Sequence, residues 1–118
     1  LVTIPAYIEA AEVDGTPAQY DVTAKDVLIP YGTSLKVAVD FENNLKLEDD
    51  HSVTVGYDMQ AKQGAGSLAS VNTGATILTA AAGNPDAVTT ASIAAVLTDA
   101  PVYSGTYTNT AAFNVTVD

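Results

Sequence analysis

Apolar residues recur at every second position along four stretches of the chain. From Gln19 to Lys25, Tyr20, Val22 and Ala24 fall on one side and Asp21, Thr23 and Lys25 on the other. Leu35, Val37, Val39 and Phe41 alternate with Lys36, Ala38, Asp40 and Glu42, and a helix of the same residues would scatter these charges around its circumference. Val53, Val55 and Tyr57 alternate with Thr54, Gly56 and Asp58. The longest example sets Tyr107, Ala111, Phe113, Val115 and Val117 against Thr108, Thr110, Asn114 and Thr116. Period two is the mark of a half-buried strand, and four such segments predict antiparallel sheets with one wet face. Two alanine-rich stretches, Thr79 to Ala82 and Ser92 to Leu97, compete as helical turns, but their short lengths and neighbouring Thr and Val favour strands.

Turn-forming clusters separate these segments: Asp14-Gly15-Thr16-Pro17, Pro30-Tyr31-Gly32-Thr33, Glu42-Asn43-Asn44, Gln63-Gly64-Ala65-Gly66, Gly83-Asn84-Pro85-Asp86 and Ser104-Gly105-Thr106. Their spacing, mostly roughly 10 to 20 residues, is the rhythm of a β-sandwich. No internal repeat and no linker interrupts it, so residues 1–118 are predicted to form a single all-β domain.

Composition narrows the function classes. Hydrophobic residues make up 47 % of the 118 and charged ones 15 %, which suffices for one core and is unlike a disordered chain. Fourteen acids against four basic residues, all lysine, give a net charge of −10. A field of that sign repels phosphate backbones and anionic lipid, which argues against nucleic-acid and membrane-surface roles. Without cysteine there is no disulfide, thiol nucleophile or thiolate metal site. No run of apolar residues is long enough for membrane insertion as a helix. A first residue that is not Met and the lack of a sorting tail read as a mature segment or part of something longer.

The stretch Ser92 to Val117 resembles the closing hairpin of a group of immunoglobulin-like domains in secreted and wall-attached proteins of Gram-positive bacteria. Gly105, Thr106, Tyr107 and Thr108 match the element that opens the last strand of that group, and Phe113, Val115 and Val117 match its inward positions. Val2-Thr3-Ile4-Pro5 is similar to the group's opening edge strand. Tyr20 to Ala24 and Leu35 to Val39 are similar to its second and third strands. The resemblance implies an immunoglobulin-like antiparallel β-sandwich of about seven to nine strands and a structural or adhesive role at a cell surface or in a secreted bacterial protein. It implies no activity, because fold alone does not assign function.

Each candidate site has a plain structural alternative. Glu48, Asp49 and Asp50, directly before His51, with Asp40, Glu42 and Asn43 upstream, could supply hard oxygen ligands for calcium, but their spacing fits no EF-hand and reads as a solvated acidic loop. A catalytic pair of His51 with an acid lacks an identifiable nucleophile. Asn109, on the inward register, could serve an intramolecular isopeptide bond with a desolvated lysine. Lys25 and Lys36 fall outward, however, and Lys46 and Lys62 in or near loops, so Asn109 is expected to bond a backbone group at a strand end instead. Tyr20, Tyr57 and Tyr107 are read as core residues with hydroxyls at the rim, which leaves Tyr7, Tyr31 and Tyr103 exposed, too few for a sugar-stacking platform. Gly64-Ala65-Gly66-Ser67 lacks the context of a phosphate loop, and the sequon Asn114-Val115-Thr116 lies within a strand.

The sequence is thus read as a noncatalytic structural, adhesive or spacer module, with no catalytic, cofactor-binding or metal-ligating residue assigned and no cofactor. A carbohydrate- or calcium-binding module is the alternative from the binding class. A further one is a subunit of a strand-complemented surface fibre, with partner subunits meeting the edge segment Val2 to Ile8, where Pro5 cannot donate a ladder hydrogen bond.

Overall fold

Three of the four period-two stretches each form one strand with its apolar residues inward, and the fourth is divided between two strands. In a computed structural model, which describes residues 1–118, eleven strands and no helix are present. They are β1 (Val2–Thr3), β2 (Ala10–Ala11), β3 (Tyr20–Ala24), β4 (Ser34–Asp40), β5 (Asn44–Leu47), β6 (Thr54–Gln63), β7 (Ala69–Ser70), β8 (Ala75–Ala81), β9 (Thr89–Leu97), β10 (Tyr107–Thr108) and β11 (Ala112–Val117). Seven have four or more residues, and the surplus over the expected seven to nine comes from two-residue pieces at the margins. Both alanine-rich stretches lie in strands, β8 and β9, because tertiary pairing outweighs the helix propensity of alanine.

The strands make two layers. The larger sheet runs β1-β3-β9-β6-β5-β10, with β2 on β9 and β7 on β6, and the smaller runs β11-β4-β8. All pairings are antiparallel except β2 with β9. Between the layers, Val22, Ala24, Met59, Ala91, Ile93 and Ala95 from the larger sheet meet Leu35, Val37, Val39, Leu78 and Ala80 from the smaller. Opposite β4, Val37 pairs with Leu78 and Ala38 with Thr76, so Ile77 is an extra residue in β8. This bulge lets two consecutive residues, Ile77 and Leu78, both turn into the core.

Two local expectations need correction. The stretch Tyr107 to Val117 is not one strand: β10 pairs with β5 in the larger sheet, β11 pairs with β4 in the smaller, and Asn109 to Ala111 cross between the layers. The break has a cause in Asn109, whose carboxamide donates to the Glu42 and Asn44 carbonyls (3.2 Å each) while its oxygen accepts from the Thr110 N–H (2.7 Å), a local turn that replaces the ladder. Of the segment Val2 to Ile8 only Val2 and Thr3 pair, on the outer side of β3, and the chain leaves the ladder before Pro5.

The two long sides of the sandwich differ. On the β8 side, Thr79 turns its backbone groups away from β4, and the Gln63 side chain meets them: its amide donates to the Thr79 carbonyl (3.0 Å) and its oxygen accepts from the Thr79 N–H (2.9 Å). Gln63 thereby stands in for a strand and staples β6 to β8. Gln63→Ala is expected to cost about 1–2 kcal/mol, two net hydrogen bonds at a partly wet edge, read as a lower urea midpoint with unchanged slope.

Candidate functional site

No residue closes the opposite side. The β4–β11 ladder fixes the geometry there, because Ser34 and Asp118 exchange both backbone hydrogen bonds (3.0 and 3.1 Å). Antiparallel pairs alternate between bonded and non-bonded, so Thr116, Asn114 and Ala112 also turn their N–H and C=O groups toward β4. Phe113, Val115 and Val117 therefore turn theirs to the open edge, where no strand and no other backbone group meets them.

The side chains of these same three residues lie in the core-facing rows. Val115 sits opposite Val37, and Val117 opposite Leu35. Val37 is completely buried and Leu35 nearly so, yet Val115 is 49 % and Val117 46 % exposed. One row of the inner face thus runs from dry to wet within a single strand spacing. No strand of the larger sheet packs along β11, whose Phe113 alone reaches the core, and the irregular residues Pro5 to Glu9 between β1 and β2 line the space beside it.

The space between this segment and the crossing chain at Tyr107 to Phe113 is a groove of about 1060 Å³. Val55, Tyr57 and Met59 of β6 form its floor, Ile8 lies on one wall, and Tyr107 and Phe113 lie on the other; Val115 and Val117 continue the row of Phe113 beyond its end. Tyr7 packs edge-on against Tyr20 with ring centroids 5.7 Å apart, and the Tyr20 hydroxyl accepts from the Glu9 N–H (3.2 Å), which anchors the first wall. The Tyr107 hydroxyl donates to the Tyr103 carbonyl (2.8 Å) and anchors the second.

Burial pushes the Tyr57 phenol above its ordinary value; the Asn109 side chain opposes the shift and the charge of Glu42 adds to it. A raised native value means that the folded protein holds the proton longer than the unfolded chain, so stability falls as pH climbs past about 10. Tyr57→Phe is expected to remove this alkaline slope, together with the tyrosinate absorbance change above pH 10 that belongs to the groove floor.

The sequence-derived candidates fall elsewhere or apart. Glu42 pairs with Lys46 (3.0 Å), Asp40 accepts from the Asn114 amide (2.6 Å), and Asp50 accepts from the Ser52 hydroxyl and N–H (2.7 and 3.0 Å). Those two bonds hold the Asp50 carboxyl below its usual value, although the group is fully exposed. No three acids or histidines come together as metal ligands would. Tyr7, Tyr31 and Tyr103 are exposed but sit at separate places on the surface, Tyr31 in the loop before β4 and Tyr103 in the loop before β10.

No family model and no curated protein matches the chain. Among solved structures, the fold is similar to a chain from work described as "Chaperone-tip adhesin complex is vital for synergistic activation of CFA/I fimbriae biogenesis", with a TM-score of 0.57 and 17 % identity. The match covers 98 % of this chain and 41 % of the other, so this chain spans less than half the length of the protein it resembles.

The alternation of Phe113, Val115 and Val117 was legible as a strand with an inner face. That no second strand covers this face was not, because alternation reports which way a side chain points and is silent on what lies opposite.

Proposed function

We propose that the chain is a noncatalytic building module of an extracellular bacterial assembly of adhesive or fibre type, and that its groove receives an extended strand from another subunit. The observation that carries this reading is the coincidence on β11 of three unpaired backbone edges with apolar side chains left wet on a core-facing row. An extended segment with alternating apolar residues supplies both deficits at once: its N–H and C=O groups complete the ladder, and every second side chain fills the inter-sheet space. A small ligand would meet the floor but leave the backbone edge bare.

The fold's likeness to a chain from a chaperone–tip adhesin complex supports the surface setting. The likeness of Gly105 to Thr108 and Phe113 to Val117 to surface immunoglobulin-like domains points the same way. The partner segment meets the groove beside β11 and the Pro5 to Ala10 wall, rather than only the outer side of Val2 to Ile8.

The test is a photo-crosslinking residue at position 115 in the intact surface assembly. Crosslinks to an extended segment of another polypeptide are expected; crosslinks confined to the chain's own residues would contradict the proposal.

A further inference from the structure

The sandwich is elongated, 52 × 25 × 20 Å, and its two ends differ in kind. The first and last residues lie at one end, where the Leu1 ammonium bonds the Lys25 carbonyl and Asp118 pairs with Ser34. Here Leu28 is 87 % exposed and Tyr31 entirely so, around a hollow of about 580 Å³ that Pro85 also lines. The loops of the opposite end carry Glu12, Asp14, Glu48, Asp49, Asp50 and Asp99 without one lysine, and also Val102, 86 % exposed, and Tyr103. Three of the four lysines sit near the first end, Lys36 paired with Asp118 (3.2 Å) and Lys25 and Lys62 without an ion pair; with Asp26 and Asp86 beside them this end is close to neutral, while the other is strongly acidic.

Large apolar side chains exposed together on a small domain mark a contact surface. Charge then decides the arrangement. Two acidic ends repel each other, and joining two lysine-bearing ends leaves Val102 and Tyr103 uncovered. Joining unlike ends covers both apolar patches and brings Lys25 and Lys62 toward the acidic loops.

We propose that a second copy of this chain seats its acidic end on the Leu28–Tyr31 end of the first, a head-to-tail contact that repeats without closing. The contact lies outside the groove and does not depend on a strand bound there.

The chain has no cysteine, so introduced thiols report the contact alone. A Tyr31→Cys copy mixed with a Val102→Cys copy at low salt is expected to form the mixed disulfide several-fold over either like-with-like product. High salt should reduce that excess, as should Lys25→Glu with Lys62→Glu. A yield of mixed product no greater than random pairing gives would overturn the proposal. So would an excess that ignores both salt and the lysine changes. Repeating the mixture with Val115→Lys in both copies separates the two contacts: an unchanged yield is expected, and its loss would place the contact in the groove and overturn a separate end-to-end surface.

Discussion

Leu78→Ala is expected to destabilise the domain by about 3 kcal/mol, within the range of roughly 2–5 for a fully buried leucine, and to lower the urea midpoint accordingly. Leu78 is completely buried on β8, opposite Val37, beside the bulge at Ile77. The smaller sheet has only three strands, and one of these, β11, is half wet. The core contribution of that layer therefore rests on β4 and β8, and Leu78 supplies its largest fully buried side chain. A domain with a typical total of about 5–15 kcal/mol loses a large share of it in one substitution. A loss below about 1 kcal/mol would mean that the two layers are not packed as described. Val115→Ala is the contrast, because an exposed valine has little to lose.

Filling the groove is expected to act in the opposite direction and as strongly. The end of β11 at Asp118 can be continued by an Asn-Gly turn and a seven-residue strand of alternating Val and Thr, which a two-residue turn returns antiparallel along the open edge. Three apolar side chains entering the groove contribute about 1.5 kcal/mol or more each, and the completed ladder adds about 1 kcal/mol per bond, less the cost of ordering the new segment. The net is expected to raise the melting temperature by about 10 °C or more. The same extension with Ser in place of Val should give little rise, and Val115→Lys should remove most of it by placing a charge in the filled space. An equal rise from both extensions would assign the effect to the tail itself and not to the groove.

Much of the fold was legible in the sequence because one physical constraint, a dry face and a wet face, writes itself directly into alternation. Val22 and Ala24, Val37 and Val39, and Val55 all stand where period two puts them. The features that fix the site depend on pairs distant in sequence. Gln63 occupies an inward row yet is polar, and its role becomes visible only with Thr79 sixteen residues on. Asn109 was legible as an amide bonding backbone at a strand end, but not as the point where the chain changes sheets, since the alternation on its two sides continues in phase. The acidic run around His51 drew notice by composition alone, and within it Asp50 spends its carboxylate locally on Ser52. Val115 and Val37 are the same residue in the same pattern. Only the missing neighbour distinguishes them, and no local sequence records a neighbour that the chain does not contain.

The most direct measurement of the open edge is backbone amide exchange along β11, residue by residue, with and without a strand in the groove. In the chain alone, the amides of Asn114 and Thr116, paired to β4, are expected to be protected, while those of Phe113, Val115 and Val117 exchange close to the rate of an unpaired chain. With the strand in place, all five should exchange slowly. Protection at Phe113, Val115 and Val117 in the unfilled chain, or its absence after filling, would contradict the proposed groove.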